Sequence, residues 1–217
     1  MMAPTVETNA ARIWEVLNRN TFFVKDAVKR NELKTSDKFD LYDPESKQLL
    51  LEVREPNIGF LTQVTRAFGG SHDQGVSFDM VATVAGTTQQ AFRIKRNGTS
   101  FSLGGVPMQF LDHRDELIGR MKKEVFALGL KFTFTNNSKE EVFVLQCKSK
   151  LLSSGCELCI ADKPVAWLSQ KPAAAHEQFY KEDKFAYAIT LAPELPLNSP
   201  VRQLLLAFSV AIRRVNA

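Results

Sequence analysis

The sequence predicts a mainly β protein: a closed antiparallel barrel wrapped around one buried C-terminal helix. Three observations predict it. Short runs of alternating apolar and polar residues, separated by turn residues, recur along most of the 217-residue chain. Sixteen phenylalanines stand against three tyrosines and two tryptophans, which suits a dry interior where no hydroxyl has to find a partner. Finally, Leu204, Leu205, Leu206, Ala207, Phe208, Val210, Ala211 and Ile212 surround a helix axis at 100° per residue, and Ser209 alone interrupts them.

That last stretch decides the architecture. A membrane span needs about 20 apolar residues, and this run has fewer than half of them. Burying Leu204, Leu205, Leu206, Phe208, Val210 and Ile212 contributes roughly 9–18 kcal/mol, as much as a whole domain's net stability. An open sheet covers one side of such a helix, whereas a sheet closed on itself covers every side. Ser199 and Pro200 supply an N-cap and a first helical residue, and Arg213 and Arg214 fall near the negative end.

Taken in order, residues 1–20 form a lead segment. Within it 10–17 makes a short amphipathic helix, with Ile13, Trp14 and Leu17 on one side and Thr8 or Asn9 as its cap. Residues 21–217 form a single barrel domain, as the length of about one and a half average domains allows. Phe39 and Leu41 alternate toward Leu49, Leu51 and Val53 across the turn residues 43–47, a hairpin. Further strands are predicted at 60–65, 76–84, 91–96, 99–103, 117–125, 130–135, 142–148, 156–161, 165–169 and 185–191. Asn97-Gly98 favours a two-residue turn that sets Ile94 opposite Phe101 and Phe92 opposite Leu103. A second hairpin turns at 136–139, between Phe132 and Phe134 on one strand and Phe143, Leu145 and Cys147 on the other.

Composition excludes some classes of function. Hydrophobic residues at 44% and charged residues at 24% exclude a disordered chain. Twenty-eight Lys and Arg against 24 Asp and Glu leave a net charge of +4, which permits an anionic partner without requiring nucleic acid, and none is expected. Three cysteines are too few for a disulfide scaffold and point to a reducing compartment, and the N-terminal residues have no secretory pattern, so the expected location is the cytoplasm, peripheral to a membrane. No transmembrane segment is expected. Asn97-Gly98-Thr99 and Asn136-Asn137-Ser138 match glycosylation sequons and are read as turns.

Candidate chemistry is sparse. Cys156 and Cys159, with Cys147 and His176, offer zinc-ligand types, but residues three apart on a strand point to opposite faces, so they are read as packing cysteines. His113 lacks any nucleophile elbow or metal motif and reads as a loop histidine; no enzyme, metal or cofactor is expected. The best candidate site is two basic clusters, Arg93, Lys95 and Arg96 in one run and Arg120, Lys122 and Lys123 in another. Alternation turns Arg93 with Lys95, and Arg120 with Lys122, outward. Such cations bind lipid phosphates, each contributing about 1 kcal/mol near an anionic surface, and they equally suit an ordinary solvated exterior.

Three stretches carry a family resemblance: Phe39-Asp40-Leu41-Tyr42-Asp43; Ile118-Gly119 through Gly129-Leu130-Lys131-Phe132-Thr133-Phe134 to Val142-Phe143-Val144-Leu145; and Phe185-Ala186-Tyr187-Ala188-Ile189 before the terminal helix. From about Phe22 onward the chain resembles the phospholipid scramblase and LURP-one-related group of the Tubby C-terminal-like superfamily. The resemblance implies a twelve-stranded antiparallel barrel around the C-terminal helix. It also implies a non-enzymatic module for anionic phospholipid or phosphoinositide headgroups, the alternative being a cytoplasmic scaffold for another protein. In the segment matching the scramblase calcium site, Asp183 is the one clear match to a family carboxylate, with Lys181 and Ala192 where the family carries aspartate, so no calcium site is expected. The family's cysteine-rich acylation cluster and proline-rich leader have no counterpart here.

Overall fold

The computed structural model describes residues 6–27, 38–56, 78–96, 107–124, 130–147, 155–169 and 187–215. Helix α1 (Val6–Leu17) leads into strands β1 (Thr21–Asp26), β2 (Lys38–Tyr42), β3 (Leu49–Arg54), β4 (Phe78–Val84), β5 (Gln90–Arg96) and β6 (Met108–Leu111). Strands β7 (Leu117–Lys123), β8 (Leu130–Thr135), β9 (Glu141–Cys147), β10 (Cys156–Ile160), β11 (Lys163–Ser169) and β12 (Tyr187–Leu191) follow, and helix α2 (Pro200–Val215) ends the chain. Each strand pairs antiparallel with its sequence neighbours, and β1 closes the ring on β12 with Phe22 opposite Ile189 and Val24 opposite Tyr187.

Period-two alternation fills the lumen. Phe39, Leu41, Val53, Met80, Ile94, Phe110, Phe132, Phe134 and Leu145 point inward and are buried, while the residues between them face out. The hairpin turns follow the sequence. Phe39 pairs with Val53 and Leu41 with Leu51 across a turn that Lys47 completes at φ 60°. Phe132 pairs with Leu145 and Phe134 with Phe143 across the 136–139 turn, where Lys139 takes φ 64° and its amide donates to the Asn136 carbonyl at 3.1 Å.

Helix α2 runs inside this ring. Ser199 caps it: its hydroxyl oxygen accepts from the Val201 amide at 3.2 Å and its carbonyl from the Arg202 amide at 3.1 Å, with Pro200 as the first helical residue. Residues 204 to 212 are all at most 4% exposed. Wall contacts come from several sides of the ring. Gly119 on β7 faces Leu204, Phe132 and Phe134 on β8 meet the Phe208 ring, Gln203 donates to the Ala91 carbonyl on β5 at 2.7 Å, and the Tyr187 hydroxyl on β12 donates to the Ser209 carbonyl. Ser209, the lone polar residue of the stretch, donates to the Leu206 carbonyl at 2.6 Å, so its burial leaves no unsatisfied hydroxyl. Helix α1 adds Ile13, Val16 and Leu17 to the same core.

Four expectations are corrected. Helix α1 begins at Val6, so Thr8 and Asn9 lie within it rather than capping it; nothing in Val6-Glu7-Thr8-Asn9 breaks a helix. Ile94 pairs with Met80 on one side and Phe110 on the other, not with Phe101, because β6 offers the same alternation and completes the ring. The predicted strand at 99–103 itself, like that at 60–65, lies outside the described residues. Two strands went unread. β1 buries Phe22, Phe23 and Val24 in succession and so does not alternate, and β6 is only four residues long. Finally, Cys156 is disulfide-bonded, and the remaining free thiol, buried Cys159, packs as expected. An odd cysteine count does not exclude one bridge, and the bond removes the reason for inferring a reducing compartment.

Candidate functional site

The two basic clusters meet on one stretch of outer wall. Lys95 on β5 lies opposite Gln109 on β6, Gln109 opposite Arg120 on β7, and Arg120 opposite Thr135 on β8. Each is flanked along its own strand by buried inward residues: Ile94 beside Lys95, Met108 and Phe110 around Gln109, Gly119 and Met121 around Arg120. Lys122, two residues beyond Arg120, faces outward opposite Thr133 and is exposed.

The six predicted cations divide into three groups. Arg93 is neutralised. Its Nε and Nη2 donate to the two Asp79 oxygens at 2.7 and 2.6 Å, and Nη1 donates to both Asp115 oxygens at 3.2 Å. Hydrogen bonding to Asp79 raises the Arg93 pKa, outweighing the burial that would lower it. Asp115 is held below the ordinary carboxylate range, first by the Gln90 amide at 3.0 Å and then by Arg93, with Lys95 adding a weaker pull. Arg96 and Lys123 stand at strand ends on the inward alternation, opposite Phe78 and Phe132, and away from the outer row.

Lys95, Arg120 and Lys122 remain. Among the described residues none of the three has a carboxylate within salt-bridge distance. Arg120 donates from Nη1 to the carbonyls of Asn136 and Asn137 at 3.1 and 3.4 Å, which turns it toward the β8–β9 hairpin. The nearby acid Glu124 is spent elsewhere: it accepts from Thr133 at 2.6 Å and pairs with Lys131 at 3.1 Å, which together lower its pKa. Three cations without a salt-bridge partner among the described residues therefore stand around the neutral Gln109.

Sequence reasoning missed Gln109 and the acids Asp79, Asp115 and Glu124 that decide which cations are free. The Gln109 position was open to period-two reading of Met108-Gln109-Phe110; the ion pairs depend on strand neighbours that no local pattern reveals. His113 sits in the β6–β7 turn, where Arg114 Nε approaches its Nε2 at 3.3 Å and Asp112 Oδ2 lies 3.9 Å from its Nδ1. Asp183, Lys181 and His176 lie outside the described residues. Among the described residues no three His, Cys, Asp or Glu side chains gather closely enough to hold a metal ion, and no helix is long and apolar enough to cross a membrane.

The fold thus defines a twelve-stranded closed antiparallel barrel with an internal C-terminal helix, carrying a small basic face on β5 to β7. No family model, curated protein or solved structure matches the chain.

Proposed function

We propose that this protein is a non-enzymatic module that docks on anionic phospholipid surfaces through the outer wall of β5, β6 and β7, in keeping with its resemblance to the scramblase and LURP-one-related group. One observation carries the reading: among the described residues Lys95, Arg120 and Lys122 have no carboxylate within salt-bridge distance, while Asp79 and Asp115 are engaged by Arg93 and Glu124 by Lys131.

Flotation of the full chain with vesicles of neutral phosphatidylcholine, with and without anionic lipid, tests this. Binding to the anionic vesicles alone, abolished by the pair Lys95→Glu and Lys122→Glu, is the expected result. Arg93→Ala is expected to weaken binding as well, since it removes a positive charge and leaves Asp79 and Asp115 without their guanidinium beside Lys95. Binding unchanged by the charge-reversed pair would remove the site.

A second reading, a docking scaffold for another protein, draws on Trp167. This residue is 46% exposed on β11, with its ring seated against Gly155 at φ +93°. In the ring β11 stands six places from β5, on the far side of the barrel from Lys95, so one flat membrane cannot engage both. Loss of a partner on Trp167→Ala with vesicle binding intact would favour that role.

A further inference from the structure

Resting on the membrane-docking reading, we infer that the basic face senses the charge density of a bilayer and does not grip one polyphosphorylated headgroup. The geometry of the wall is the reason. Lys95 and Arg120 stand on strands separated by β6, so their backbones lie about 10 Å apart, and Lys122 lies about 7 Å further along β7. A closed barrel is convex on its outside, so outward side chains on successive strands splay apart as they leave the wall.

The side chains add to this divergence. Arg120 is drawn by the Asn136 and Asn137 carbonyls toward the β8–β9 turn, away from Lys95. Arg93, which shares the outward side of β5 with Lys95, has its Nε, Nη1 and Nη2 donating to Asp79 and Asp115. Gln109 at the centre is neutral and holds no third charge over the gap. A single headgroup bearing clustered phosphates needs cations aimed at one point, as a bidentate guanidinium provides. Three separate, outward, singly charged groups instead match separate anions spread over a plane, each adding its share by proximity to the surface potential.

Such a face has measurable properties. Affinity follows surface potential whichever lipid supplies it, each cation removed weakens partitioning by about fivefold, and added salt weakens it steeply. The experiment compares phosphatidylserine vesicles with vesicles carrying a phosphatidylinositol bisphosphate, the two matched in zeta potential, and repeats each with soluble inositol trisphosphate as competitor. Equal partitioning within a factor of two, unaffected by the competitor and reduced about fivefold by Lys95→Ala or Lys122→Ala alone, is expected. Tenfold preference for the bisphosphate vesicles, relieved by the soluble headgroup, would overturn the inference while leaving membrane docking standing. Absence of binding to both vesicle types would instead remove the docking reading on which it rests.

Discussion

The ring of Phe132 on β8 meets the ring of Phe208 on helix α2 edge to face, with centroids 4.9 Å apart and planes at 69°. Both side chains are fully buried, and Phe134 adds a second edge contact to Phe208 at 6.2 Å. Wall and helix are therefore one core, and neither has a stable surface without the other. Phe208→Ala is expected to lower stability by about 3–5 kcal/mol, because the lumen is lined on every side and cannot collapse into the space. Urea unfolding measures it; a loss below about 1 kcal/mol would mean the helix is not enclosed.

Gly119 is a point where Leu204 of the helix packs directly against the backbone of the wall. A Cβ built there would lie 3.4 and 3.6 Å from the two Leu204 methyl carbons and 3.7 Å from the Thr135 carbonyl oxygen. An alanine therefore just fits, and a branched side chain does not. Gly119→Ala is expected to change stability by less than about 1 kcal/mol and Gly119→Val to cost roughly 1–3 kcal/mol through displacement of Leu204. Thermal melts of the two variants, read against the wild type, separate close packing from a mere preference for glycine.

How far the fold was legible follows from these contacts. The omni-apolar stretch from Leu204 and the alternating strands both carry their burial in their own periodicity, so barrel and internal helix were readable. β1 was not, because Phe23 is buried on the outer side of the wall as firmly as Phe22 and Val24 are within it, which erases the alternation. The Asn97-Gly98 signal pointed to a partner for β5 that closure of the ring assigns to β6 instead. Within the site, the outward direction of Lys95, Arg120 and Lys122 was legible from period two. Neutralisation of Arg93 was not, since Asp79 and Asp115 are 14 and 22 residues away in the chain.

Asp43 controls the acid limit of the β2–β3 turn. Burial would raise its pKa, but the Ser46 amide and hydroxyl, the Glu45 amide and the Arg19 guanidinium together outweigh burial and lower it. A carboxylate with a depressed folded-state pKa stabilises fully above its unfolded value of 3.8, and this contribution is lost as pH falls through the folded value. Asp43→Asn keeps an oxygen for the turn amides while losing the charge. It is expected to cost roughly 1 kcal/mol at neutral pH and to flatten the fall in thermal midpoint below about pH 4. An unchanged acid profile would mean that other carboxylates set the limit. The more exposed Asp115 and Glu124 contribute less through solvent screening.

Arg202 ties the lead segment to the helix it enters with. Only 1% exposed, it donates from Nη2 to the Asn18 and Arg19 carbonyls at 2.9 and 3.0 Å and to Asn20 Oδ1 at 2.7 Å, and from Nη1 to the Leu195 carbonyl at 3.2 Å. Its acceptors are neutral, and burial lowers its pKa with no acid to compensate. Charge burial is tolerated here because the planar fork satisfies several buried oxygens at once, joining the α1–β1 connection to the β12–α2 turn. Asn18 and Asn198 reinforce the same junction with two reciprocal hydrogen bonds at 2.8 and 2.9 Å. Lysine has three donors and no fork, and methionine has none, so Arg202→Lys is expected to cost about 1–2 kcal/mol and Arg202→Met about 2–3 kcal/mol. Hydrogen exchange distinguishes a local tie from general packing. The backbone amides of residues 16–20 should lose protection in both variants while those of β7 and β8 keep it, and uniform loss across the barrel would show that Arg202 supports the core and not the junction.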